Sequence, residues 1–441
     1  MCTSSFERPE EGCYWRCMKT GCFTICSRNY LAYALTLRDS LQKAEPDLDF
    51  RIFLADAPLD EAPPQGVEII PVSGIDPAEM RDMAFRYTVI EFNTAVKPFC
   101  FDYMFDQAAC DAVIYLDPDI HLFAPMQRVH EALAGGASCV LTPHILAPLP
   151  PEDTASEFDL MRSGTFNLGF AAFANTPEAR AFLTWWKDKL REHCRVDLQN
   201  GLFVDQRFVD FAPSFIEHLK VLRAPGYNVA YWNLANRPVR KTDTGLTAGG
   251  SPLVFFHFSG VSPGAPDVFS KHQSRFDMTN IGDAADLVRD YLGCLAANGQ
   301  ARWSAMPYAY GKFDTGEPIV APMRQGPPAD PAAPFAAPNH AYWNAPSERV
   351  DQTPGTPITR LMQAIHAARP DLQEAFPLST AAGRRGFHAW FIAHGAREYR
   401  VGEAPLAAAL SESAIQVQTI ARHFARLKLS YSRLRQRTFG D

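Results

Sequence analysis

The stretch Val113-Ile114-Tyr115-Leu116-Asp117-Pro118-Asp119-Ile120-His121-Leu122-Phe123 restricts the fold more than any other part of the chain. Four apolar residues run into two carboxylates one residue apart, and more apolar residues follow. A short run rich in β-branched and aromatic residues predicts a buried strand. Pro118 offers no N–H to a ladder, so the strand should end there. Both acids then lie at its carboxyl end, the edge at which open α/β sheets bind their ligands. Two hard oxygen donors at that edge suit a divalent cation that keeps positions open for a diphosphate. The competing reading is an Asp-Pro turn in which one acid caps the next element. A D-x-D is too short to decide between them by itself.

The chain can hold two or three domains, with 441 residues of which 47% are hydrophobic. No apolar run approaches the roughly 20 residues of a bilayer span. The first residues lack the apolar centre of an export signal, so a cytoplasmic location is expected. The formal charge of −7 is uneven, because residues 340–441 hold 13 Lys+Arg against 8 Asp+Glu. An acidic main body argues against nucleic acid as the partner. Five of the ten cysteines fall within the first 26 residues, spaced x3, x4 and x3 from Cys13 onward. Zinc sites favour paired C-x2-C spacing, so free thiols in a reducing compartment are expected instead. Residues 1–18 read as an extension with no packed element, and Met18 is a candidate start.

Phe23 to Cys26 reads as a first strand, followed by the turn Ser27-Arg28-Asn29-Tyr30 and a helical face through Leu31, Leu35 and Leu41. Phe50 to Leu54 is a second strand ending at Asp56, and Val67 to Val72 a third. This β-α-β opening predicts a parallel sheet with right-handed crossovers. Asp56 is placed to hold a ribose or a base edge, or else to cap a loop. There is no G-x-G-x-x-G and no G-x-x-x-x-G-K-[ST] to indicate a dinucleotide or P-loop site. Tyr87 to Ala109 should be largely helical, with Pro98 in a first turn. Lys97 and Arg86 are candidates for a phosphate, against the alternative of solvated surface charges. Residues 145–160 are rich in proline and acid and read as a loop able to act as a lid. An amphipathic helix is expected over about 177–193, with Phe182, Trp185, Trp186 and Leu190 inward. Pro225 to Asn233 is aromatic and amide-rich, suited to sugar rings or to a core.

Four pieces in order resemble the metal-dependent glycosyltransferases of the GT-A fold, specifically family 8, the glycogenin-like retaining enzymes, in a distant bacterial branch. They are Tyr115-Leu116-Asp117-Pro118-Asp119, Phe166-Asn167-Leu168-Gly169, Asp205-Gln206 and His257-Phe258-Ser259-Gly260. The resemblance covers about residues 19–280. It implies an α/β fold with a Rossmann-like, mixed and mostly parallel sheet flanked by helices. It also implies Mn²⁺, or Mg²⁺, held by Asp117, Asp119 and His257. Imidazole beside two carboxylates mildly favours Mn²⁺. The family pattern puts Asn167, Asp205 and Gln206 around the donor sugar, with Asp205 on its hydroxyls and Gln206 near the anomeric face. Ser27, Asn29, Tyr30 and Asp56 match the positions that hold the nucleotide. The implied activity is transfer of a sugar from a nucleotide-sugar donor, expected to be UDP-linked, to a saccharide acceptor such as a surface glycan, with retention. The leaving phosphate is then expected to take the acceptor proton. Two departures concern the diphosphate. The family's lysine follows the His-motif glycine by three residues, whereas Lys271 follows Gly260 by eleven; and Lys97 stands where relatives carry an arginine.

The expected division is an extension over 1–18, the transferase domain over 19–310, a Pro-rich extended linker over 311–345 and a small C-terminal helical module over 346–441. In that module Arg369-Pro370-Asp371-Leu372 and Trp390-Phe391 resemble helical segments appended to bacterial surface-polysaccharide transferases. Ile420, Phe424, Leu427, Tyr431 and Leu434 form a helical stripe among basic residues. Such a helix suits peripheral contact with an anionic membrane, a partner helix, or docking on its own domain. Two rivals remain at this stage. A haloacid dehalogenase-type phosphatase normally carries its D-x-D on the first strand with Thr or Val two residues on, where this chain has His121. A non-catalytic glycan-binding scaffold would not be expected to keep Asp117, Asp119, Asp205 and His257.

Overall fold

The computed structural model describes residues 18–151 and 154–410. They divide into two compact units, one ending at Ala309 and the other beginning at Tyr310. The first is organised on a seven-stranded sheet. Its members are β1 (Thr20–Cys26), β2 (Asp49–Leu54), β3 (Glu68–Pro71) and β4 (Ala112–Leu116). After a short β5 (Ile120–Leu122) come β6 (Cys139–Pro143), β7 (Phe166–Ala174) and β8 (Leu219–Val221). The spatial order is β8-β6-β7-β4-β1-β2-β3. Only β7 runs antiparallel to its neighbours. The mixed, mostly parallel sheet flanked by helices is therefore the architecture expected.

Every residue of β4 is buried, which explains why its sequence is a continuous apolar run rather than an alternation. On one face α1 (Leu31–Ala44) and α4 (Gln127–Ala134) cover Ile114, Leu116, Val140 and Phe170 with Leu37, Leu41, Val129 and Leu133. On the other, Phe23 meets Phe53 and Phe101 edge-on at 5.3 and 4.9 Å, and Phe101 meets Phe173 at 5.0 Å. Such T-shaped pairs add about 0.5–1.5 kcal/mol each beyond their area. Parallel order puts the ends of β1, β2 and β4 on one edge. The reversed β7 brings its start, Phe166 to Leu168, to that same edge, since Phe170 pairs with Leu116.

The segment expected to be one helix is two. α2 (Val89–Ala95) opens on a capping box between Thr88 and Glu91, and α3 (Lys97–Asp106) carries Pro98 in its first turn. Val96 closes the first and opens the second. Part of the anticipated lid is α5 (Thr154–Ser163). The long helix α6 (Pro177–His193) starts at Thr176, whose side chain accepts from the Ala179 amide. Trp185, expected inward, is half-buried, and Leu183 joins Phe182, Trp186 and Leu190 inside. A separate two-stranded pairing joins β5 to β9 (Phe255–His257) antiparallel, with Ile120 opposite His257.

The second unit begins at Tyr310, one residue before the stretch expected to be an extended linker. Residues 311–345 instead carry α7 (Ala321–Arg324) and α8 (Ala337–Asn344) and bury Phe313, Met323 and Trp343. Prolines in the first turns of both helices replace amides that have no intrahelical partner, so a proline-rich composition here is compatible with packed helices. Arg369 forks onto Asp371 at 2.8 and 2.7 Å and also reaches Glu398. The Arg-Pro-Asp motif thereby ties the start of the helix Pro370–Ala375 to the helix Ala396–Glu398. The basic stripe from Ile420 to Leu434 and the extension 1–17 lie outside the described residues.

Trp186 is fully buried, and its indole N–H donates to the Asp205 carbonyl at 3.1 Å. Trp186→Ala should cost about 3–5 kcal/mol, the range for deleting a large buried aromatic. Denaturant melts of the two proteins check this; a loss under 1 kcal/mol would remove the core assignment.

Candidate functional site

At the carboxyl edge the chain turns at Pro118. The Asp117 N–H donates to the Gly169 carbonyl at 2.7 Å, the Ile120 N–H returns to the Asp117 carbonyl at 3.1 Å, and the Phe258 N–H donates to the Asp119 carbonyl at 2.8 Å. These bonds bring His257 against both acids although 138 residues separate it from Asp119. His257 Nε2 lies 3.0 Å from Asp119 Oδ1 and 3.7 Å from Asp117 Oδ2. The three donor atoms stand within 4.8 Å of one another, and among the described residues they form the one such cluster of His, Cys, Asp or Glu. Asp117 and Asp119 keep 29% and 17% of their side-chain surface open, whereas His257 keeps 4%. Donors facing solvent from a buried mount leave positions for a ligand.

The donor set fits a divalent ion. Two ligands about 2.1 Å from one octahedral ion stand roughly 3 Å apart, the separation of Nε2 from Asp119. Burial opposes charge on Asp119, but the His257 imidazole outweighs it and holds the carboxyl below its ordinary value. Burial pushes the Asp117 carboxyl up, and Lys97 and His257 only partly offset this. For His257, burial works against the charged form, but Asp119 beside it raises the group. Carboxylates and imidazole thus converge on one point, where a cation would balance the two negative charges.

Gly169 has a steric reason to be glycine. A Cβ there would lie 2.3 Å from Cε1 and 2.7 Å from Nδ1 of His257. Behind the ring, Nδ1 faces Asn167 Oδ1 at 3.2 Å and Asn228 Oδ1 at 3.3 Å. The Asn228 amide donates to Thr142 Oγ1 and Asn167 Oδ1, and the Asn167 amide meets His144 Nε2 at 3.3 Å. His144 is buried and pushed down to about 4, chiefly by desolvation, so it is neutral. Trp232 stands edge-on to both His144 and His257, at 5.5 and 5.2 Å.

A second network adjoins this one. Lys97 is 1% exposed, and its ammonium donates to Asp205 Oδ2 at 2.5 Å and to the Leu168 carbonyl at 2.9 Å. It also sits 4.3 Å over the Tyr115 ring, whose hydroxyl donates to Asp117 Oδ1. Burial, then the charge of Asp117, raises the Tyr115 phenol, so it stays a donor. Asp205, 2% exposed, is raised by burial despite Lys97. It follows Val204, a β-branched residue at φ 42°, a conformation that costs energy. Gln206 accepts from the Leu168 N–H at 3.0 Å and donates to the Ser163 carbonyl at 2.9 Å, clipping the start of β7 to the end of α5.

Asp56 is fully buried and accepts from the backbone amides of Arg28, Ala57 and Ala309 at 3.1, 2.8 and 2.9 Å. It therefore braces the loop after β1, where Ser27 donates to Asn29 at 2.6 Å. Tyr30, 36% exposed, stacks on Tyr33 at 4.2 Å. Burial, and next the charge of Asp119, raises its phenol. Lys271 is exposed, and its N–H donates to the Gly260 carbonyl at 3.2 Å. Gly260 sits at φ 80°, and a Cβ there would come 2.5 Å from Ser270 Oγ and 2.7 Å from His272 Cδ2. Glycine thus lets residues 270–272 fold back over the turn after β9, so eleven residues of chain separate two neighbours.

Of the expected residues, Asp117 and Asp119 lie against Nε2 of His257, and Asn167 lies against its Nδ1. Lys97, Asp205 and Gln206 adjoin them through Tyr115 and Leu168. Asn228, Thr142, His144 and Trp232 were not singled out one by one. His144 carried a signal, since it directly follows a strand that ends on the same edge.

No family model matches the chain. Two uncharacterized proteins of Bacillus subtilis (strain 168) are similar in sequence. YfnD is 28% identical over 244 residues, 54% of this chain and 76% of that protein. YfnF is 23% identical over 245 residues, 54% of this chain and 80% of that one. Among solved structures, the galactosyltransferase LgtC superimposes with a TM-score of 0.40 at 17% identity, over 62% of this chain and 95% of that one. Mouse xyloside xylosyltransferase 1 does so with a TM-score of 0.32 at 14% identity, over 54% and 97%. The functional reading below rests on the site's own chemistry.

Breaking a buried ion pair costs about 3–5 kcal/mol because the partner is left charged in the interior, whereas an apolar replacement of both can be neutral. Lys97→Met should therefore destabilise the protein by that amount, and adding Asp205→Leu should restore most of it. A double-mutant cycle in urea reads the coupling; additive losses would show that the pair is not the buried unit described.

Proposed function

We propose that the first unit is a metal-dependent glycosyltransferase of the GT-A fold, related to family 8. It transfers a sugar, a hexose in this reading, from a nucleotide-sugar donor to a saccharide acceptor with retention. UDP is the expected nucleotide. The observation that carries this reading is the meeting of Asp117, Asp119 and His257 at the carboxyl edge of the sheet, two open carboxylates on a buried imidazole. Those residues would hold Mn²⁺ or Mg²⁺, which when bound offsets the charge that builds on a departing diphosphate.

The other residues take roles consistent with their surroundings. Lys271, exposed on the loop seated against Gly260, is the basic residue for the diphosphate; Lys97 is committed to Asp205. Tyr30 on Tyr33 offers the nucleotide an open aromatic face, with Ser27 and Asn29 beside it and Asp56 bracing the loop beneath. Asn167, Asp205 and Gln206 line the donor-sugar side. Neither of the last two acts as a nucleophile: Asp205 is ion-paired and Gln206 is tied to two backbone groups. A retaining route through a carboxylate would need one free on the sugar. The departing phosphate oxygen instead accepts the acceptor's proton. In this reading the second unit is an appended helical module, and the basic stripe beyond it supports peripheral contact with an anionic membrane, in work on a surface polysaccharide.

UDP-sugar hydrolysis or transfer should require Mn²⁺, stop in EDTA, and fall on the order of 10²-fold or more in Asp119→Ala and His257→Ala, since the ion supplies several kcal/mol. Lys271→Ala should chiefly raise the donor KM. A thermal-shift screen of nucleotide sugars with and without Mn²⁺ identifies the donor. Full activity in EDTA would contradict the proposal.

A further inference from the structure

The imidazole of a metal-binding histidine has two nitrogens, and whatever faces the second decides which one carries the proton. Here that face is built from amides whose orientation can be deduced. The Gly169 N–H can only donate, and it points at Asn167 from 3.1 Å, so the oxygen of that amide must be there. An independent anchor agrees. His144 Nδ1 faces the Thr165 carbonyl at 3.4 Å and so carries the hydrogen, which leaves Nε2 an acceptor for the Asn167 amide nitrogen at 3.3 Å. With Asn167 Oδ1 fixed, the Asn228 nitrogen must point to it, at 3.0 Å, and to Thr142 Oγ1 at 2.9 Å. The oxygen of Asn228 is then left for His257 Nδ1. Asn228 is itself held at φ 54°, fully buried, with its carbonyl accepting from Asn233 at 3.0 Å. Two amide oxygens therefore converge on Nδ1, which must bear the hydrogen. The Nε2 lone pair is left facing the carboxylates of Asp119 and Asp117.

We propose that Asn167 is a positioning residue for His257, fixing its tautomer and ring plane so that Nε2 is presented to a divalent cation, with Asn228 as its support. This deepens the reading of the site as a metal centre and rests on it. It gives the Phe-Asn-Leu-Gly segment a second task besides facing a sugar. Asn167 supplies the acceptor, and Gly169, two residues on, leaves room for the ring that the acceptor holds.

Mn²⁺ affinity, measured by calorimetry and by loss of the free-ion electron paramagnetic resonance signal on purified protein with no nucleotide, tests this. Asn167→Ala should weaken binding about 10- to 100-fold, the usual effect of removing an outer partner of a ligating histidine. Asn167→Asp keeps an acceptor on Nδ1–H and should bind Mn²⁺ as tightly as the wild type or tighter. Asn228→Gly, which suits the positive φ, should lose several-fold and serves if Asn167→Ala does not fold. Wild-type affinity in Asn167→Ala, or equal losses in the Ala and Asp variants, would overturn the inference. A wild type that binds no better than His257→Ala would instead overturn the metal site beneath it.

Discussion

The antiparallel pairing of β5 with β9 is the contact on which the site depends. Three residues on each side set His257 opposite Ile120, and one hydrogen bond from Phe258 to the Asp119 carbonyl locks the register. A slip by one residue would turn the imidazole to the other face, because side chains alternate along a strand. The large sheet supplies the other half of the geometry. Its parallel strands deliver the loops after β1, β2 and β4 to one edge, and the single reversed strand β7 brings Asn167 and Gly169 to the same place. Backbone pairing alone gathers residues from five separate parts of the chain.

Charge is concentrated at that edge. Lys97, Asp205, Tyr115 and Asp117 form a chain of contacts beside the three donors. Lone buried charges cost several kcal/mol, so each member needs its neighbour. The Tyr115 hydroxyl, kept protonated, occupies one oxygen of Asp117 and leaves Oδ2 toward His257. The second network thus aims the first. Glycines at 169 and 260 mark two points at this edge where side chains of one segment crowd the backbone of another.

Much of this could be read along the chain, and the exceptions have physical causes. β4 and the helix Pro177–His193 are written in local terms, an apolar run and an N-cap with proline after it. The two acids of the candidate metal set were legible because carboxylates at a strand end are a chemical signature in a defined place, and His257 was added to them by the family resemblance. The partner of Lys97 was not, since a lysine in a first helical turn looks the same whether it meets solvent or an acid 108 residues away. The packed helices of residues 311–345 were hidden because proline marks both an extended connector and a helix start. Asn228 owes its role to a positive φ and to bonds with residues 61 and 86 positions distant. Lys271 seemed too far from Gly260 because spacing along the chain says nothing of a loop that folds back.

A divalent ion held by Asp117, Asp119 and His257 is the claim on which the account stands. Anomalous scattering at the manganese edge, from crystals grown with Mn²⁺ and UDP, tests it most directly. The predicted result is one strong peak bonded to both carboxylates and to His257 Nε2, with diphosphate oxygens completing its coordination. A peak elsewhere, or UDP bound with no ion at these residues, would contradict it.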